Sequence, residues 1–511
     1  MKKLLSIVLV LTLALGCMSI TVAEDELPTL KLLVSWGESY PTEDNPILDR
    51  LGEIVGCKFE IIIPPSANFS DVRNTIMASG DIPDLIYMST SQVNNYTKWA
   101  TEGLLLDLEE YFNEEDMPNA FRTLTADDVY TCRIPSLDNH LYSLPRMQSK
   151  ASSCILYRLD WLENLGLEVP TTAEEFKDVM IAFATQDPDG NGEDDTYGWC
   201  YCWQNDWNKA QASNMISGFD LRYNEIPNEN GEYELIYAQK DFMNYIDWIK
   251  EMYDAGAIYP EYYTWSGNEY MDELWYAGKI GCKYMDTLVG DINTYGYDSA
   301  TMQSTCPEGR YILGPALMKE GDSVAYEYYK PQIWNWWGVS ASSKNLDLAI
   351  KLLDLGYTDE VNLLMMYGIE GLTYTSLDPV TVAYVCTDEQ MALKSKYCGS
   401  SQTFNWRLES GDLISRSGKT PESRARFDEW YDKMAQQVTR IWYNVGSPLP
   451  GYSDVQTAIV NAGTFDQYNE LRDKYIVGTA TREELVDFIN TEMIPAFQPM
   501  LDIFEAYSLN K

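Results

Sequence analysis

Between Thr29 and Met88 the sequence alternates between two periodicities, and this restricts its possible folds more than any other feature. "TLKLLVSW" (29–36), "CKFEIIIPP" (57–65) and "IPDLIYM" (82–88) are short, apolar and rich in β-formers, and they read as strands. Between them, "NPILDRLGEIVG" (45–56) and "SDVRNTIMASG" (70–80) carry helical spacing, with Asn45 placed as a cap and Pro46 in the first turn. Strands separated by helices at this pace imply βαβ units and a parallel sheet. Such sheets bind ligands beyond the carboxyl ends of their strands. Trp36–Tyr40 and Ser89–Asn95 are therefore expected at one edge of a candidate cleft.

The rest of the chain is more helical. "LDWLENLGLEVPTTAEEFKDVMIAFATQ" (159–186) contains a start at Thr171 or Thr172 with Glu174 and Glu175 in the first turn, a capping-box pattern. The pattern turns mixed after "YAGKIGCKYMD" (276–286), and from residue 342 to the end it is mostly helical. A chain of 511 residues is too long for one ordinary domain. With no internal repeat and no low-complexity linker, its lobes are expected to interleave.

The first residues read as an export leader: a basic "MKK" followed by the apolar run Leu4–Leu15, too short for the roughly 20 residues of a membrane span. Two processing routes fit. "ALGC" ending at Cys17 resembles a lipobox, with Ala14 and Leu15 swapped from the usual order, and would lipidate Cys17. "TVA" at 21–23 resembles an ordinary signal-peptidase site. Both place the protein outside the cytoplasmic membrane. The net charge of −41, which becomes more negative once Lys2 and Lys3 are removed, repels nucleic acid and acidic polymers and is compatible with neutral or cationic ligands, excluding partners better than it selects them. The nine cysteines beyond Cys17 cannot all pair internally and lack the spacing of a zinc or redox motif, so buried or half-buried thiols are expected.

Several stretches resemble the extracellular solute-binding proteins of bacterial ABC importers, in the subgroup that captures oligosaccharides. They are "ASGDIPDLIYM" (78–88), "ATEGLLLDLEEYF" (100–112), "LYSLPRMQSKASSCILYRLDWLENLGLEVPTTAEEF" (141–176), "DPDGNGEDDTYGW" (187–199), "YAGKIGC" (276–282), "YTDEVNLLMMYGIEGLTY" (357–374) and "YIVGTATREELVDFINTEM" (475–493), in the order that family shows. The resemblance implies two interleaved α/β lobes of the type II periplasmic-binding-protein kind, with a helical C-terminal part, closing on a sugar about several hinge segments. Crossings are expected near Ser152–Cys154, Tyr284–Asp286 and Trp334–Gly338. The lobes would then comprise 29–152 plus 287–333 and 153–286 plus 334–511, after a leader at 1–23. The partners implied are a neutral oligosaccharide and membrane permease subunits, with no nucleic acid and with a monomeric receptor. An oligopeptide or other solute is the alternative ligand, and a secreted glycoside hydrolase the alternative from another class.

"DPDGNGEDDTYG" (187–198) follows the order of a calcium loop. Asp187, Asp189, Asn191 and Asp195 supply oxygens, Glu193 offers its carbonyl, and Gly192 allows the turn. Gly198 stands where the bidentate carboxylate belongs, so the expectation is one structural calcium completed by nearby residues, against a bare Asp/Asn/Gly turn.

Sugar rings have flat apolar faces edged with hydroxyls, so a sugar cleft needs aromatic plates beside a few polar groups. The chain has 15 Trp and 37 Tyr, more polar-edged rings than a core requires. Trp36, Trp203, Trp207, Trp265, Trp334, Trp336 and Trp337 are the candidate plates, those of "QIWNWWG" (332–338) foremost. Glu38, Asn94, Asn205, Asp286 and Asn335 are the candidate hydrogen-bonding partners, while Arg158 and Asp160 suit a salt-bridged helix start equally well. His140, the only histidine, reads as a turn residue, so no Ser/His/Asp set can be argued, and there is no phosphate-cradling glycine loop. No catalytic residue is assigned.

Overall fold

The structure is a computed structural model and describes residues 27–35, 38–89, 93–146, 154–200, 215–264, 269–285, 299–329, 335–377, 384–398, 438–442, 444–446 and 449–511. Among these residues, two main sheets are built from β1 (Thr29–Leu33), β2 (Lys58–Ile62), β3 (Leu85–Ser89), β4 (Leu144–Pro145), β5 (Cys154–Arg158), β6 (Tyr197–Trp199), β7 (Ile280–Met285), β8 (Tyr311–Gly314) and β9 (Asn335–Val339). The first sheet has the order β2-β1-β3-β9-β4 and the second β8-β5-β7-β6.

The expected βαβ start is present: β1 pairs in parallel with both β2 and β3. Between β1 and β2 lies helix α1 (Pro46–Val55). The Asn45 side chain accepts hydrogen bonds from the Ile47 and Leu48 N–H groups, and Gly56 ends the helix at φ +94°. That is a left-handed conformation a side chain would strain. Ile47, Leu48, Leu51 and Val55 form its buried stripe against the sheet. Helices α2 (Phe69–Ser79) and α3 (Val93–Thr101) flank β3. In the second lobe, α4 (Ala173–Thr185) opens on a complete capping box between Thr172 and Glu175. The Thr171 N–H and hydroxyl also donate to Glu175, and these bonds hold its carboxyl below the usual range.

The two sheets organise two hydrophobic cores, and the fold is two interleaved α/β lobes. The lobe boundaries differ from the sequence expectation. Residues 287–333, assigned to the first lobe by sequence, belong to the second where they are described: β8 pairs antiparallel with β5, and Leu317 lies in the second core. The start of 334–511, assigned to the second lobe, belongs to the first. There β9 lies antiparallel between β3 and β4, and α5 (Leu346–Leu355) packs into the first core. Asp354 of α5 fixes that docking by accepting from the Asn119 and Ala120 N–H groups, both at 2.8 Å, and from the Asn119 amide. The reason is the burial of β9. All five of its residues are buried, and after Asn335 it is a run of Trp, Trp, Gly and Val that shows no face preference from which its sheet can be read.

The chain therefore passes from the first lobe to the second within 147–153, returns within 330–334 and leaves again within 399–437, intervals outside the described residues. The crossings expected near Ser152–Cys154 and Trp334–Gly338 adjoin two of these intervals. The one expected near Tyr284–Asp286 does not. Chain on both sides of 286–298 belongs to the second lobe, with β7 in its sheet and Met302 packed against Ile280 and Tyr311 in a satellite core. The C-terminal segment is helical, with Tyr452–Ala462, Thr464–Ile476, Arg482–Phe488 and Ile494–Ala506 closing the second core. No helix among the described residues is long and apolar enough to cross a membrane.

Candidate functional site

Because β1, β2 and β3 run parallel, the turns that follow them leave the sheet on one edge. Glu38, after β1, accepts from the Ser66 N–H at 2.9 Å and the Ser66 hydroxyl at 3.1 Å, tying that turn to the one after β2. These bonds keep its carboxyl below the ordinary range although the group is exposed. Asn94 lies in α3 next to this edge, its side chain outside the described residues. Trp36, Trp203, Asn205, Trp207, Trp265, Asp286 and Trp334 also lie outside the described residues.

Trp336 and Trp337 require a correction. Expected as plates for a ligand, they are 2% and 1% exposed and belong to the first core. Alternation along β9 sends them to opposite faces of the sheet. Trp336 stacks on Tyr96 of α3, and Trp337 meets Tyr87 of β3 edge-on at 5.7 Å. Neither ring has a free face, since their area is spent on cohesion between β9 and its neighbours.

The outer end of β9 is polar. Asn335 stands opposite Ser89, the last residue of β3, and so at the carboxyl edge. Its side chain meets the Tyr87 hydroxyl, while its Oδ1 is buried without a hydrogen-bond partner. Arg146, directly after β4, donates its N–H to the Asn335 carbonyl at 2.9 Å, and its partly buried guanidinium lies near Tyr87. Burial pulls this guanidinium below its usual range, with Tyr87 opposing. Sequence reasoning missed Arg146 and Tyr87; the one available signal was that Arg146 precedes an expected crossing by a few residues.

The candidate polar pair in the second lobe is structural. Arg158 donates through Nε and a terminal nitrogen to both Asp160 oxygens, at 2.9 and 2.5 Å, and lies 4.6 Å over the Trp161 ring. His140 pairs with Ile134 in a two-residue ladder, and its Nδ1 lies 2.6 Å from Asp107 Oδ2. That hydrogen bond to Asp107 raises the imidazole above its ordinary value.

The loop 187–198 keeps the turn of a calcium loop, with Gly192 at φ +81°. The Asp187 carboxylate accepts from the N–H groups of Asn191 and Gly192, both at 3.1 Å, and the Asn191 amide donates to Asp189 and Asp195. Partial burial, with Asp187 and Asp195 beside it, raises the Asp189 carboxyl above the usual range. The Lys279 ammonium pairs with Asp195 and lowers that carboxyl. Gly198 begins no ligand: it lies in β6 against α4, and a Cβ there would overlap the Met180 backbone. No group of three or more His, Cys, Asp or Glu side chains among the described residues is set to hold a metal ion.

The sequence profile of the bacterial extracellular solute-binding proteins matches residues 38–363, more than half of the chain. The protein belongs to this family. Among its relatives, this solute-binding protein is similar to the lipoprotein LipO of Bacillus subtilis, 26% identical over 345 residues that cover 66% of each chain. It is also similar to the fructooligosaccharide ABC transporter substrate-binding protein FusA of Streptococcus pneumoniae, 24% identical over 69% of this chain and 65% of FusA. The matched stretches thus span about two thirds of these relatives' own length. In fold it resembles a solute-binding protein from Bifidobacterium longum infantis described as binding HMO and associated with an ABC transporter. The TM-score is 0.66 at 18% identity, over 94% of this chain and 99% of that one. It also resembles FusA solved as an EF-hand mutant in complex with fructo-nystose, with a TM-score of 0.64 at 19% identity over 94% and 100%.

Proposed function

We propose that this solute-binding protein captures an oligosaccharide outside the cytoplasmic membrane by closing its lobes. It then delivers the sugar unaltered to the permease subunits of an ABC importer. The observation that carries this reading is the threading of the chain. Arg146 and Asn335, the described residues of the first lobe next to two changes of lobe, are joined by a hydrogen bond at the edge where the turns after β1–β3 gather. A ligand touching that edge and the opposite lobe favours the closed state by its differential affinity. FusA, by its name a fructooligosaccharide-binding protein, supports a sugar over a peptide. The overall negative charge supports an uncharged one.

The leader at 1–23 would export the chain, freely or through lipidation of Cys17, and the receptor would act as a monomer. One structural calcium would be held by Asp187, Asp189, Asn191, the Glu193 carbonyl and Asp195. Such an ion neutralises carboxylates that otherwise repel one another and pins the loop before β6. FusA having an EF-hand supports this assignment.

A thermal-shift screen of the mature protein against glycans and peptides tests the reading. Stabilisation by an oligosaccharide, with no reducing ends released, is expected. Stabilisation by peptides alone, or hydrolysis of the sugar, overturns it.

A further inference from the structure

In a chain with 78 acidic and 37 basic residues, most described guanidinium groups pair with a carboxylate, although Arg122 donates to the Asn119 amide instead. Arg133, Arg158, Arg222, Arg310 and Arg482 each have one. Arg146 has none among the described residues. Its Nε is buried without a hydrogen-bond partner, and the Asn335 Oδ1 is buried in the same condition, in a residue 1% exposed whose carbonyl accepts from the Arg146 N–H. Two unsatisfied polar groups whose side chains both lie near Tyr87 are costly in a finished core. They are what a preorganised site looks like before its ligand arrives.

We propose that Arg146, Asn335 and Tyr87 form a ligand subsite that takes a pair of adjacent oxygens. These are two neighbouring hydroxyls of a neutral sugar ring; the two oxygens of a uronate carboxylate would fit the same fork and are the contrary outcome of the test. The guanidinium presents several N–H donors in a planar fork whose spacing suits two adjacent acceptors. Asn335, 1% exposed, backs the fork: its carbonyl accepts from the Arg146 N–H and its side chain meets Tyr87.

The subsite is stiff. The Tyr87 ring is gripped edge-on by Phe69 at 6.2 Å and by Trp337 at 5.7 Å, and β9 is hydrogen-bonded on both sides. Trp337 is thus a positioning residue: it fixes Tyr87, and Tyr87 meets Asn335. The subsite also sits at a crossing. Arg146 precedes the segment 147–153 and Asn335 follows 330–334, and the Arg146 N–H to Asn335 carbonyl bond joins the two. A ligand held here touches the ends of two strands of the first sheet, β4 through Arg146 and β9 through Asn335. The inference rests on the oligosaccharide reading and names where that sugar is gripped.

The test is calorimetric titration of wild type, Arg146→Gln, Arg146→Lys and Asn335→Ala, with apo melting temperatures measured in parallel. The sugars are a glycan panel that includes kestose as a neutral arm and a galacturonic acid trimer as a uronate arm. Arg146→Gln is expected to weaken binding of the preferred glycan by tenfold or more while the apo protein melts no lower than wild type. Arg146→Lys, which keeps the charge and loses the fork, falls between. Preference for kestose supports neighbouring hydroxyls, and preference for the trimer overturns them in favour of a carboxylate. Should Arg146→Gln not fold, Asn335→Ala carries the same expectation. Affinity within twofold of wild type in the variants removes the subsite and leaves the oligosaccharide reading standing. No wild-type binding to any glycan overturns that reading and the subsite with it.

Discussion

Trp336 stacks on Tyr96 with ring centroids 5.8 Å apart and planes 12° from parallel, inside the first core. The contact fastens α3 to β9, the strand on which the chain re-enters the first lobe. Trp336→Ala should therefore cost about 3–5 kcal/mol of stability, the usual range for truncating a buried aromatic residue. Trp336→Phe should cost less and leave ligand affinity within a few-fold. Urea denaturation reads the first quantity and calorimetry the second. Wild-type stability in Trp336→Ala together with lost binding would return the residue to the ligand site.

Gly198 leaves no room for a side chain, because a Cβ would meet the Met180 carbonyl oxygen and Cα. Gly198→Ala should destabilise the second lobe by about 1–3 kcal/mol, as overpacking against fixed backbone does. Equal melting temperatures for variant and wild type would contradict the close packing of β6 on α4.

Calcium removal addresses the same region. Chelation of the mature protein, or Asp187→Asn, should lower the melting temperature without abolishing ligand binding. No shift on chelation would reduce loop 187–198 to a turn held by its own hydrogen bonds.

The His140–Asp107 pair predicts a pH dependence. The folded imidazole is raised above its ordinary value, so the pair stabilises fully below that value, about pH 6.5. The contribution fades as pH rises through the raised folded value. His140→Gln should lower the melting temperature at pH 5.5 and change little at pH 9. A loss that is the same at both pH values would mean that the ring acts by shape alone.

Local chemistry explains what the sequence revealed and what it hid. Asn45, Pro46 and Gly56 bracket α1 because caps act within a few residues, and Thr172 with Glu175 announces α4 for the same reason. The parallel start of the first sheet follows from the helices between its strands. Cys57, Cys132, Cys200, Cys282 and Cys398 are buried thiols, as small apolar side chains without a pairing pattern should be. The partner strand of "NWWGV" was not legible, because after Asn335 both of its faces are apolar and its neighbours, β3 and β4, are remote in sequence. The same blindness made Trp336 and Trp337 look like binding plates and concealed Arg146. Its significance lies in a missing carboxylate, which only the assembled lobe reveals.

Equilibrium dialysis of the mature protein against a mixture of oligosaccharides, with the retained sugar recovered and its mass measured, tests the central claim most directly. The account predicts that one class of oligosaccharide is retained and returned at full length. Retention of no sugar, or recovery of shortened chains, would contradict it.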